Sequence, residues 1–384
     1  MLKHTITVKQ MQYLITTFWL GTMIIAGYNQ TLKQDSWAGI LLSSTLFLPI
    51  LLLYARIIRL FPSQDLFSII IKIFGNLWGK ILSASMTLYA IYLGALVLKN
   101  TTQFITDLNL TSTPEELIFT ILSLLALWTL IHGPENLARL SKFILPILLF
   151  TIVFTCVIGF RDMDFNNIKP VLHTDYKILL SQSMIFLTVP LGESIICLPF
   201  FGAVSSLVNP LKVFLKALAI TTGIAVLASL RDVLILGTGT ANMYYYPSYQ
   251  TVTIIALGDF FTRIEVLVGL SLVMAGFIKF ASCVYTSSLG LMKIMEFPNP
   301  KHAIVQCLLV TITLSSMVYS NTIEMLNFIP YYPYIAVIFQ IFLPLAILIG
   351  AEIKMRKKSP KSPGPSEIKA SQQSPSPIPN EAAD

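Results

Sequence analysis

The sequence predicts an all-α integral membrane protein of ten transmembrane helices, arranged as two inverted repeats of five, with helices 1 and 6, the first of each repeat, discontinuous. Three observations carry that prediction. Of 384 residues, 55% are hydrophobic and 12% charged, at a mean hydropathy of +0.74, which is more apolar surface than a soluble core can hide. Ten long apolar runs fill roughly the first 350 residues. The first and sixth of these are interrupted near mid-depth, and inside hydrocarbon the freed backbone groups must be met by protein or by a buried polar ligand.

Each run is close to the ~20 residues that cross ~30 Å of hydrocarbon. Span one, about 9–28, is broken at Gly21-Thr22, and its length and lack of a small-residue cleavage site argue against a signal peptide. Span two, about 37–57, is followed by Phe61-Pro62-Ser63-Gln64-Asp65, Ser68-Ile69-Ile70 and Gly75-Asn76-Leu77. Span three, about 80–104, carries Tyr89 and Tyr92 on one face, either as a pocket wall or as ordinary packing. Spans four and five, about 116–132 and 140–159, complete a first repeat of about residues 8–160.

Span six, about 178–202, opens a second repeat of about 176–352 and is broken at Val189-Pro190-Leu191-Gly192-Glu193. Span seven, about 212–236, ends near Arg231-Asp232, read as a local pair or interface anchor. Then Tyr246-Pro247-Ser248-Tyr249-Gln250, Thr253-Ile254-Ile255 and Gly258-Asp259-Phe260 repeat the pattern that follows span two. The copies lie an odd number of spans apart, so they face opposite sides, as in an inverted repeat whose broken helices hold a midplane site. Spans eight to ten lie at about 263–287, 303–320 and 331–351. The transmembrane domain is thus 1–352, and the Pro/Ser/Lys-rich tail, 353–384, is expected to be disordered and cytoplasmic.

Of the 26 basic residues, 18 fall on the side shared by both termini, 6 on the other (Lys99 among them), and 2, Arg231 and Lys279, within the membrane. This bias places both termini in the cytoplasm. The net charge of +7 is accounted for by loops facing anionic lipid and calls for no nucleic acid. Cys156, Cys197, Cys283 and Cys307 all lie in predicted spans and act as small apolar residues; no metal site, cofactor motif or enzymatic signature is present. Tyr244-Tyr245-Tyr246 and Tyr331-Tyr332 read as interfacial aromatics without a ligand role.

Taken in order, Lys9-Gln10 with Gly21, Gln34-Asp35-Ser36-Trp37, Phe61-Pro62, Gly75 with Gly79-Lys80, Pro190-Leu191-Gly192-Glu193, Gly258-Asp259-Phe260 and Phe277-Ile278-Lys279 resemble the B-subunit family of bacterial spore germinant receptors. The resemblance covers about residues 5–350. It implies membership of the amino acid-polyamine-organocation superfamily, a LeuT-type fold, residence in the inner spore membrane, partner A and C subunits, and a small nutrient ligand such as an amino acid. Two rivals remain open: a proton-coupled amino-acid permease on the same scaffold, coupled through Lys279 or Glu193, and an assembly scaffold with a vestigial pocket.

In the LeuT-type arrangement, amides near Thr22, Met23 and Ile24, freed by Gly21, would hold a ligand carboxylate at a helix N-terminus. Carbonyls near Val189 and Leu191 would accept from an ammonium, with Pro190 and Gly192 opening the helix. Close helix packing at Gly21 and a simple kink at Pro190 are the alternative readings. Lys279, just cytoplasmic of mid-span, is either an internal cation in place of a metal ion or a snorkelling side chain. Glu193 is either a site residue or a cap on the inner half-helix of span six.

Overall fold

The computed structural model describes residues 6–23, 29–108, 112–204, 209–255 and 264–358. Within them the first half of the chain forms α1 (Val8–Met23), α2 (Ser36–Leu60), α3 (Leu66–Phe74), α4 (Asn76–Leu108), α5 (Glu115–Ile131) and α6 (Pro134–Ile158). The second half forms α7 (Tyr176–Phe186), a π-helical turn at Leu187–Leu191 and a 3-10 segment at Gly192–Ala203. It continues with α8 (Pro210–Ala241), α9 (Pro247–Ile255), α10 (Ile264–Met295), α11 (Pro300–Ser315), α12 (Thr322–Phe328) and α13 (Tyr332–Val337). A second π-helical turn, Ile338–Phe342, leads into α14 (Leu343–Lys358).

Local sequence explains the boundaries. Asn209 and Asn299 each precede a proline at the first helical position, and their side chains accept from the amides of Lys212 and Lys301. Asp65 caps α3 in the same way through Ser68, and Gly75, at φ 83°, ends it in a conformation that L side chains rarely adopt. Farther on, Gly237 at φ 67° interrupts α8, and Asn167 Nδ2 donates to the Leu234 carbonyl at 3.0 Å beside it. Asp35, fully buried, accepts from the amides of Leu172 and Thr174 at 2.7 and 2.9 Å and so ties the start of α2 to the loop before α7.

Seven helices are long and apolar enough to cross a membrane among the described residues. Expected spans one, four and nine appear as α1, α5 and α11, of 16, 17 and 16 residues. The chain is a multi-pass membrane protein, and its exterior fits lipid: Trp128, Phe143 and Val157 are exposed on α5 and α6, while Trp19 and Phe47 are buried. Helices α4 and α10 pack together at the centre, with α1 and α6 against α10. The stretches after spans two and seven both fold as nine-residue helices, α3 and α9.

The structure qualifies three expectations. Gly21 and Thr22 are themselves helical, α1 running through Met23, and the rest of the expected first span, 24–28, lies outside the described residues. A Cβ at Gly21 would lie 2.8 Å from the Ala275 carbonyl oxygen, so this glycine allows α1 to approach the α10 backbone. Lys99, counted on the outer side, is 3% exposed and ion-paired to Glu115, so it meets a carboxylate rather than solvent. Helix α14 also runs past residue 352, so Lys354 belongs to the helix rather than the tail. Ile24, Gly258-Asp259-Phe260 and residues 359–384 lie outside the described residues.

Candidate functional site

The sixth span is interrupted where Val189 leaves helical geometry (φ −124°, ψ 111°) and Pro190 supplies no amide. A broken ladder in a low-dielectric interior needs new partners for its carbonyls. Side chains from distant helices provide them. The Thr188 carbonyl accepts from Gln340 Nε2 at 3.0 Å, the Gly192 carbonyl from the Tyr54 hydroxyl at 3.2 Å, and the Leu191 carbonyl from Trp19 Nε1 at 3.1 Å and Ser194 Oγ at 2.6 Å. The Leu191 carbonyl therefore has two donors already and is not free for a ligand ammonium. A Cβ at Gly192 would overlap Gln340 Oε1, so a larger residue there has to displace the Gln340 side chain that clasps the break.

One residue beyond the break, Glu193 forms an ion pair with Lys279 of α10. Lys279 Nζ also donates to Thr22 Oγ1 at 2.6 Å and sits 5.1 Å from the centre of the Phe18 ring. Lys279 is 1% exposed and Glu193 2%, so the snorkelling reading of Lys279 fails. Each charge compensates the other where an isolated ion would be costly, and the pair joins α1, the sixth span and α10. The amides of Thr22 and Met23 lie within helix α1 and point back along it, so they do not offer the free N-terminal anion site expected of them.

Two neighbouring cavities lie beside this pair. The larger, about 270 Å³, is walled by Gly21, Thr22, Gln182, Val189, Tyr245 and Gly276 among others. A smaller one of about 50 Å³ reaches Glu193 and Lys279 and is bounded by Tyr319, Phe328 and Tyr332. Thr22, Val97, Asn100, Val189, Met325 and Ile329 belong to both. Thr22 and Val189 are thus brought to the cavities as expected, while Met23, Pro190, Leu191 and Gly192 lie in packed backbone around them.

Tyr89 does not wall either cavity. Its hydroxyl lies 3.0 Å from that of Tyr332 and accepts from Gln340 Nε2 at 2.9 Å, and its ring stacks on Phe339 at 4.6 Å. Tyr92 is half-buried and lines neither described cavity. Sequence reasoning missed Tyr54, Asn100, Tyr332 and Gln340, and it gave Tyr244, Tyr245 and Tyr246 no part in a cavity they line. One signal was available: Lys99-Asn100-Thr101-Thr102-Gln103 puts five consecutive polar residues inside a span. Arg231 and Asp232 do form a local pair, fully buried and joined to Thr155 and Ser248.

Comparison with known proteins agrees with this architecture. A profile of the spore permease family, described as Spore germination protein, matches residues 5–325. The chain is 24% identical over 369 residues to Spore germination protein KB of Bacillus subtilis (strain 168), covering 94% of this chain and 98% of that protein. It is 22% identical over 237 residues to Spore germination protein XB of Bacillus anthracis, covering 61% and 65% respectively. Its fold is similar to Mhp1, a nucleobase-cation-symport-1 family transporter solved in a closed conformation with bromovinylhydantoin bound, at TM-score 0.59 and 14% identity over 90% of this chain and 78% of that one. MhsT in complex with L-phenylalanine is similar at TM-score 0.55 and 12% identity, over 88% and 97%. These neighbours establish an all-α transporter fold of the LeuT type. With a family match across most of its length, the chain belongs to the spore germination protein family, the B-subunit family of spore germinant receptors.

Proposed function

We propose that this chain is the nutrient-sensing membrane subunit of a spore germinant receptor and binds a small germinant, an amino acid, in the cavities beside the broken sixth span. The observation that carries the reading is the buried Glu193–Lys279 pair on the wall of a cavity of about 50 Å³ that shares six lining residues with a neighbouring cavity of about 270 Å³. That volume is near the lower end of the roughly 300–1,000 Å³ of small-molecule pockets, which suits an amino acid better than a larger nutrient. A matched pair of opposite charges favours a ligand that is itself net neutral, because a net charge brought into this interior would be uncompensated. Thr22, Val189, Glu193 and Lys279 are the residues assigned to ligand contact, with Gly21 setting the approach of α1 to α10.

In this reading ten spans form an inverted five-plus-five repeat, both termini are cytoplasmic, and the protein works in the inner spore membrane with A and C subunits. Spores lacking this chain should lose germination in response to some amino acids and keep it for others, tested nutrient by nutrient. An unchanged response to every nutrient would sink the proposal. A second reading, a proton-coupled amino-acid permease, is favoured by the transporter fold of the structural neighbours. Proton-dependent amino-acid flux into proteoliposomes holding the purified chain would select it.

A further inference from the structure

We infer that Asn100 of α4 is the residue that reads the ligand's head group, and that it selects ligands bringing a hydrogen-bond donor, the ammonium of an amino acid, to the junction of the two cavities. The inference rests on the proposed amino-acid ligand and adds a residue and a selection rule to it.

The smaller cavity is about 50 Å³, room for a few waters at the roughly 10–15 Å³ that each needs. A whole amino acid does not fit there. Its body must occupy the larger cavity while its head group reaches the six residues common to both. Four of these six, Val97, Val189, Met325 and Ile329, are apolar, which leaves Thr22 and Asn100 as the polar side chains at the junction. Thr22 Oγ1 already accepts from Lys279, and Lys279 and Glu193 neutralise each other. Asn100 Oδ1, by contrast, is buried without a hydrogen-bond partner.

In the polar run around it, Lys99 pairs with Glu115, and Thr101 Oγ1 donates to the Val97 carbonyl at 2.8 Å. Thr102 Oγ1 and Gln103 Oε1 are also buried without a partner, but neither residue lines either cavity. Asn100 alone in that run borders both cavities. A buried acceptor left unpaired is destabilising, and native proteins retain few of them. An ammonium at the junction would supply the missing donor once the Asn100 amide, on the wall of both cavities, turned its oxygen toward it. The ligand carboxylate is then left within reach of Lys279.

The test uses the purified full chain, wild type and Asn100→Leu, with two readouts. The first is the thermal midpoint without ligand. Loss of an unpaired acceptor should leave Tm equal to wild type or raise it by about 1–4 °C; a lowered Tm would mean that Asn100 has a structural partner, and would overturn the inference. The second is binding of the twenty amino acids, and of the des-amino carboxylic acid matching each one that binds. Asn100→Leu should weaken amino-acid binding roughly 10- to 100-fold, the loss expected for a hydrogen bond to a charged group. It should weaken the des-amino acids far less, so that protein and ligand changes are coupled. Equal binding by both proteins, or additive losses, would overturn the role of Asn100 while leaving the amino-acid site standing. A wild-type protein that binds no amino acid would remove the proposed ligand class, and the inference with it.

Discussion

Lys279 and Glu193 show how much the environment of one side chain decides. Alone at this depth either charge would cost at least ~2.5–3.5 kcal/mol; together, with Thr22 taking a further N–H, they are tolerated. Lys279→Met leaves Glu193 buried and unpaired, and we expect a loss of about 3–5 kcal/mol of stability. The double variant Lys279→Met with Glu193→Gln should recover most of it. Thermal melting and the folded yield in size-exclusion chromatography measure both, and a single variant as stable as wild type would contradict the pairing. On the proposed reading, the Lys279 side chain, which reaches from α10 to Thr22 of α1, takes the place of a coupling metal ion. Ligand affinity should therefore be unchanged when sodium is replaced by choline.

Among the elements, the approach of α1 to α10 and the clasp between the two π-helical turns are the contacts most sensitive to a single atom. A side chain at Gly21 meets the Ala275 carbonyl oxygen at 2.8 Å, so Gly21→Ala should already destabilise the protein and Gly21→Leu more so. Overpacking of this kind costs about 1–3 kcal/mol. The expected signature is low membrane abundance, and normal abundance of Gly21→Leu would show that the two helices separate easily. At the clasp, Gln340 Nε2 bonds both the Thr188 carbonyl and the Tyr89 hydroxyl. Gln340→Leu strands that carbonyl in the break of the sixth span, for an expected loss of about 1–3 kcal/mol read from Tm. A Tm equal to wild type would mean that other groups satisfy the break.

At the scale of the whole molecule, the proposed orientation rests on the distribution of basic residues. A cysteine introduced in place of Pro363 should react with a membrane-impermeant thiol reagent only from the cytoplasmic side, since the native cysteines are buried. Labelling from the outside, or an odd number of crossings, would refute the ten-span arrangement. Asp35 joins the start of α2 to the loop before α7, and the Ile6 amide donates to the Ala203 carbonyl at 2.9 Å beside the far end of the sixth span. The sixth span is thus tied to the start of α2 through the loop before it and to the segment before α1 at its far end.

The sequence by itself determined the membrane class, the place of the apolar runs, the break at Val189-Pro190 and the match between the two stretches that fold as α3 and α9. These follow from quantities that are local or additive along the chain: apolar content, a missing amide, capping residues, and a Pro-Ser start. Tertiary structure decided which polar groups meet. Glu193 and Lys279 are 86 residues apart, and no periodicity states that their helices turn toward each other. The same holds for Gln340 against Gly192, for Trp19 on the Leu191 carbonyl, and for Tyr244–Tyr246, whose amphipathic rings suit an interface and a cavity wall equally well. Helix rotation and close approach settle these pairings, and both depend on how neighbouring side chains pack in three dimensions rather than on any single segment.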